Sequence, residues 1–135
     1  MARPQKKDKH ILGKLEMRIM SILWEMDEAT CRDVFAQLGG DDQYAYTTVL
    51  SMMKHLEKKR LVDHREDRRA FVYRPLVSRE RVEETMTSDF VDSVFSGSVP
   101  SLVNTLLSSN DVTERDLEQI EKAIRQMREG RSDER

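Results

Sequence analysis

Residues 44–62 read YAYTTVLSMMKHLEKKRLV, and the arrangement of their side chains governs how the rest of the chain is understood. Wound at about 100° per residue, the stretch puts Val49, Met52, Met53 and Leu56 on one narrow face. Opposite lie Thr47, Ser51, Lys54 and Lys58, with Thr48 and His55 on one flank and Leu50 on the other. No carboxylate interrupts that polar face before Glu57. Small hydroxyls let a helix approach a duplex closely, and its N–H-rich start attracts phosphate. Thr, Ser, Lys and His hydrogen-bond bases or phosphates, and Leu50 suits a thymine methyl. Two readings fit this stretch alone: a helix that reads nucleic acid, and an ordinary amphipathic surface helix.

The flanking residues separate the two. After the helix the hydrophobic period changes from 3.6 to 2. Residues 61–65 (LVDHR) and 70–74 (AFVYR) predict the two strands of a hairpin, with the tip at Glu66, Asp67, Arg68 and Arg69 and Pro75 closing the second strand. A basic hairpin beside such a helix forms a wing, and Arg68 and Arg69 are expected to hold phosphates there, with Lys58, Lys59, Arg60 and Arg65 nearby. Upstream, Leu12, Leu15, Ile19, Ile22, Leu23 and Met26 follow the spacing of a helix over about residues 13–25. Thr30 with Asp33 three residues on resembles a capping box. The short helix behind it buries Cys31, Val34, Phe35 and Leu38, and Gly39-Gly40 stops it. Cys31 is then a small core residue, not a nucleophile or ligand. Helix, Gly-containing turn and polar-faced helix make a helix-turn-helix; with the hairpin, the pattern is a winged helix.

The remainder is helical pattern throughout. Ser78 starts a segment with Val82, Met86, Phe90 and Val94 at i, i+4 spacing, ended by Gly97. Pro100 suits the first turn of a short helix carrying Val99, Leu102, Val103, Leu106 and Leu107. Thr113 and Asp116 cap a last helix bearing Leu117, Ile120, Ile124 and Met127, which Gly130 is expected to close. These faces are too apolar to stand alone in water. A dimer clamp formed by Val82, Met86, Phe90, Val94, Leu102, Leu106, Leu117, Ile120 and Ile124 is the economical use for them, since dimers that read two half-sites need one. The expected organisation is a flexible basic arm (1–10), a winged-helix DNA-binding domain (11–76), a helical dimerisation region (77–130) and a frayed tail (131–135). The fold class is mostly α with a small β-wing.

Composition agrees with this division. The chain of 135 residues is 38% hydrophobic and 36% charged, enough for a modest core but with no apolar run near the roughly 20 residues of a membrane span. Residues 1–76 carry 15 Lys and Arg against 12 Asp and Glu, net +3; residues 77–135 carry 8 against 13, net −5; the chain is −2. The basic half suits phosphate and the acidic half does not. The basic start lacks the apolar core of a secretory signal. One cysteine excludes an internal disulfide framework and fits a reducing compartment, so a cytoplasmic location is expected. His10, His55 and His64 with a single cysteine match no zinc spacing. There is no Gly-rich phosphate loop and no GxSxG or HExxH motif. Neither an enzyme, nor a metal, nor a cofactor is expected.

The residues also carry a resemblance. LGKLEMRIMSILWEMDEATCRDVFAQL, followed by AYTTVLSMMKHLEKKRLVDHREDRRAFVYRP, resembles the winged-helix repressors of penicillinase and methicillin-resistance operons, a family that extends to copper-responsive repressors. The match is strong over residues 12–75 and looser through the Ser96–Val103 element SGSVPSLV and the last helix. The resemblance implies a homodimer that binds a palindromic operator, often of its own operon, and blocks transcription. It places Ala45, Tyr46, Thr47, Thr48, Ser51 and Lys54 near double-stranded DNA and assigns dimerisation to the C-terminal helices; His55 and Lys58 join the DNA face from the helical spacing. Copper-responsive members carry a C-terminal cysteine cluster, absent here. Penicillinase-type members are released by a regulatory protease at an Asn-Phe bond after the SLV element; here Asn104 precedes Thr105, and release by cleavage near residues 104–106 stays open. Other classes left open are an activator and a winged-helix protein-interaction module.

Overall fold

The computed structural model describes residues 12–133, so the basic arm expected at 1–10 lies outside the described residues. The elements run α1 (Lys14–Met26), β1 (Ala29–Thr30), α2 (Cys31–Gln37), a 3-10 turn (Gly40–Asp42), α3 (Tyr46–Lys58), β2 (Val62–Asp67), β3 (Ala70–Pro75), α4 (Arg79–Phe95), α5 (Val99–Leu107) and α6 (Glu114–Asp133). They divide into two compact units that meet in sequence between Phe90 and Val91.

The first unit is a winged helix. Ile19, Met20 and Leu23 of α1, Val34 and Leu38 of α2, and Val49, Met53 and Leu56 of α3 are buried together with Leu61, Val62 and Tyr73. Each such side chain contributes about 1.5–3 kcal/mol by leaving water. The helix-turn-helix corner turns at Gly39, whose φ of 108° a residue with a Cβ would adopt only under strain. At the start of α2, Thr30 Oγ1 accepts from the Asp33 N–H and Asp33 Oδ2 from the Thr30 N–H, both at 3.0 Å. The antiparallel sheet has the order β1-β3-β2, with Ala29 opposite Tyr73 and His64 opposite Tyr73 on the other side. The hairpin is longer than the sequence predicts: pairing reaches Asp67 and Ala70, which leaves Arg68 and Arg69 alone as the tip. The two-residue strand β1 is an addition, since Thr30 serves both as a strand residue and as the cap of α2.

The start of α4 belongs to this unit, which moves the expected boundary at residue 76. Trp24 Nε1 donates to the Val77 carbonyl at 2.9 Å, and the Arg79 guanidinium lies 4.9 Å from the Trp24 ring centre. Val82 is fully buried in the head core and Met86 packs against that core. Both were expected on the dimer face; the i, i+4 stripe of α4 is shared instead, its first half filling the head and its second half exposed at Phe90 and Val94.

The second unit holds the last turn of α4 with α5 and α6. Ser96 and Gly97 take φ of 50° and 84° after α4, and Ser98 caps α5 by accepting from the Ser101 N–H. Thr113 and Asp116 cap α6 reciprocally at 3.0 Å. Gly130 does not end α6, which continues to Asp133; its solvated position imposes only the ordinary glycine penalty of about 1 kcal/mol. Val94, Val99, Val103, Leu106, Leu107, Ile120, Ile124 and Met127 are all exposed, whereas Leu102 and Leu117 are half-buried. Among the described residues no helix is long and apolar enough to cross a membrane.

Candidate nucleic-acid interface

Helix α3 is amphipathic by spacing, and burial of Val49, Met53 and Leu56 turns Thr47, Thr48, Ser51, Lys54 and Lys58 to solvent. Its N-cap is the exposed Ala45, which offers no side-chain acceptor, and its first turn holds no acidic residue. The start of the helix therefore has no side-chain cap and no acidic residue in its first turn, which leaves it electropositive.

Cations near this face fall into two groups. Some are engaged: Lys59 Nζ is 3.3 Å from Glu16 Oε2, Arg65 pairs with Glu28 at 3.1 Å, and Arg74 donates to Asp63 at 2.7 Å. The Arg74 guanidinium holds the Asp63 carboxyl below its usual range. Lys54, Lys58, Arg60, Arg68 and Arg69 make no ion pair among the described residues. The free cations thus lie on the exposed face and end of α3 and at the wing tip, while Lys59 and Arg65 are tied into the protein.

Two residues expected on the DNA face are turned elsewhere. His55 Nε2 lies 3.3 Å from Glu16 Oε2, at the α1 side of the helix. Glu16 is a buried carboxylate that also accepts from the Gly13 N–H at 2.9 Å, so Lys59 helps to balance its charge while His55 sets a ring nitrogen beside it. Tyr46 faces α2: its ring meets Phe35 edge-on at 5.3 Å, the Arg32 guanidinium covers it at 4.7 Å, and its hydroxyl bonds the Cys31 thiol. Burial pushes the Cys31 thiol up, which makes it a packing residue.

The wing is braced against α3 by His64. Its Nδ1 is 2.8 Å from Glu57 Oε2, and its ring stacks on Phe71 at 4.0 Å. Spacing could not reveal this bracing, nor the Glu16 cluster, since the partners meet only after the chain folds. At the tip Arg68 and Arg69 both have positive φ, 54° and 72°, a geometry in which two-residue hairpin loops usually place Asn-Gly. Both arginines are exposed. The tip accepts backbone strain and gains two projecting cations.

A profile of the penicillinase repressor family matches residues 12–126. The chain is 20% identical over 113 residues to the methicillin resistance regulatory protein MecI of Staphylococcus aureus, covering 84% of this chain and 92% of that protein. It is 39% identical over 72 residues to the transcriptional regulator BlaI of Mycobacterium tuberculosis, covering 53% and 52%. In fold it is similar to MepR, a transcription regulator of the Staphylococcus aureus multidrug efflux pump MepA, with a TM-score of 0.52 and 21% identity over 93% of this chain and 84% of that one. A MepR variant bound to an oligodeoxyribonucleotide superposes with a TM-score of 0.50 at 20% identity, covering 93% and 87%. With the winged helix, its exposed hydroxyl-and-lysine face and a family match over most of its length, the chain belongs to the penicillinase repressor family, which comprises DNA-binding transcriptional regulators and not enzymes.

Proposed function

We propose that this protein is a homodimeric repressor that binds a palindromic operator, that of its own operon being the first to examine. Thr47, Thr48, Ser51 and Lys54 enter the major groove, Lys58 lies at its edge, and Arg68 and Arg69 hold the backbone. The observation that carries this is the exposed polar face of α3, free of carboxylates in its first turn, whose Lys54 and Lys58, like Arg68 and Arg69 at the wing tip, make no ion pair among the described residues. A carboxylate-free, hydroxyl-bearing helix face with an uncapped N-terminus is complementary to phosphate and base edges alike. His55 and Tyr46 leave the list of groove residues, because each has a partner within the head.

Dimerisation falls to the exposed apolar residues Phe90, Val94, Leu106, Ile120 and Ile124, with Leu102 and Leu117 beside them. Exposed apolar side chains in such number mark an association surface. Val82 and Met86 stay with the head core. A protease acting at residues 104–106 would have to unwind α5 first, since Asn104 lies inside that helix and its carbonyl accepts from the Ser108 N–H.

The experiment is a comparison of wild type and Thr48→Ala on a duplex from upstream of the protein's gene and on a scrambled duplex. Thr48→Ala should weaken binding to the native duplex by about 1–3 kcal/mol and leave the scrambled one unchanged. Equal affinity of the wild type for both duplexes would contradict sequence reading by this head; an unchanged ratio in the variant would remove Thr48.

A further inference from the structure

A cleft of about 550 Å³ opens between the start of α2, one flank of α3 and the wing tip. Arg32 and Arg69 stand on its walls, with Tyr46 and Leu50 along the α3 side and Phe71 on the wing. Asp33 also lines it, but the Asp33 carboxylate accepts from the Thr30 N–H, and the cleft keeps two positive charges against one negative. Arg32 makes no ion pair among the described residues. Its guanidinium is instead laid over the Tyr46 ring at 4.7 Å. That ring is fixed in turn by Phe35 and by the bond between its hydroxyl and the Cys31 thiol.

The geometry points to this cleft as a seat for a backbone phosphate of duplex DNA, with Arg32 as a DNA-contacting residue and Tyr46 as the residue that positions it. The inference rests on the proposal that α3 enters the major groove. The major groove admits one helix, and the sugar-phosphate strand that bounds it separates it from the adjacent minor groove. A protein with α3 in one groove and its wing beside it must receive that strand between the two, which is where the cleft lies. Arg32 faces Arg69 across it, and a guanidinium suits phosphate because its planar fork donates two parallel hydrogen bonds. Stacking on Tyr46 holds the fork without consuming its N–H donors, whereas a carboxylate partner would consume them. The N–H groups of α2 play no part, that helix being short and already capped by Thr30 and Asp33.

The test is a fluorescence-anisotropy titration of the full chain with two 30-base-pair duplexes, one from upstream of its gene and one scrambled, over a range of salt. Arg32→Ala should weaken both by roughly tenfold at low salt and leave their ratio unchanged. It should also reduce the slope of log K against log salt by about 0.9, the value for one phosphate. Tyr46→Leu should reproduce part of that loss, whereas Tyr46→Phe, which keeps the ring beneath Arg32, should bind both duplexes like wild type. A thermal melt accompanies each variant; Arg32→Ala should melt close to the wild type, since the side chain is exposed, makes no ion pair among the described residues and has only the Tyr46 ring beneath it. An unchanged salt slope in Arg32→Ala overturns the phosphate seat while leaving DNA binding by the wild type intact. A change in the ratio of the two duplexes with an unchanged slope overturns it too, making Arg32 a base reader. Failure of the wild type to bind either duplex removes the underlying function and the seat together.

Discussion

Arg60 illustrates how a single residue can sit against its own preference. It follows α3 with φ of 67°, and the Leu61 N–H reaches back to the Leu56 carbonyl at 3.0 Å while the Arg60 N–H reaches Glu57 at 2.9 Å. These two bonds form the Schellman turn, whose left-handed position usually belongs to glycine. A side chain there costs about 1 kcal/mol. Arg60→Gly should therefore raise unfolding stability by about 0.5–1 kcal/mol, read as a higher urea midpoint at unchanged m-value. A lower midpoint would mean that the Arg60 side chain makes a stabilising contact that outweighs the strain. Glu16 is the converse: buried, it answers to the Gly13 N–H, Lys59 and His55, and no spacing rule could have disclosed partners that lie about 40 residues away in sequence. Its position three residues after Gly13 was the only local signal.

At the scale of elements, the wing hairpin joins strain to charge. Replacing its tip, Arg68→Asn with Arg69→Gly, installs the residues that a two-residue loop prefers. The double variant should be more stable by about 1–2 kcal/mol. It should also bind all duplexes more weakly, with a salt slope reduced by up to about 1.8, the value for two phosphates. Gain of stability without loss of salt dependence would show that the tip does not meet DNA. The long elements were legible in the sequence because each carries a strong period: 3.6 in α1, α3 and α6, and 2 in the hairpin. Strand β1 was not, because two residues have no period and exist as a strand only through Tyr73 and Val72 opposite them. The stripe of α4 was legible as apolar but not as divided between two roles, since spacing says that a face is buried and not by what. On α3 the polar face was recovered from spacing; the partners of Tyr46 and His55 were not, because aromatic and imidazole rings suit both a groove and a packed flank.

For the whole molecule, the described head has a built-in response to alkaline pH. Burial raises the titration of Cys31, Tyr46 and Tyr73 above their ordinary values of 9.0, 10.0 and 10.0. The unfolded chain gives up these protons first, so their contribution is complete below the unfolded values and declines as pH rises through them. Wild-type stability should fall between about pH 8 and 10, and Cys31→Ala should fall less steeply over the same interval. Equal slopes in urea denaturation series would show that the thiol does not contribute. Across the chain, charge is divided, with net +3 in residues 1–76 and −5 in residues 77–135, which matches a basic reading head and an acidic half kept off the phosphates. In the proposed repressor two copies, held by the helical unit, place two α3 helices on one operator. This arrangement is tested most directly by titrating DNA from upstream of the gene with the full chain at two salt concentrations and determining the stoichiometry at saturation. Tight, salt-dependent binding that prefers this duplex to a scrambled one and saturates at two chains per site is the expected result. Saturation at one chain, or equal binding to both duplexes, would contradict it.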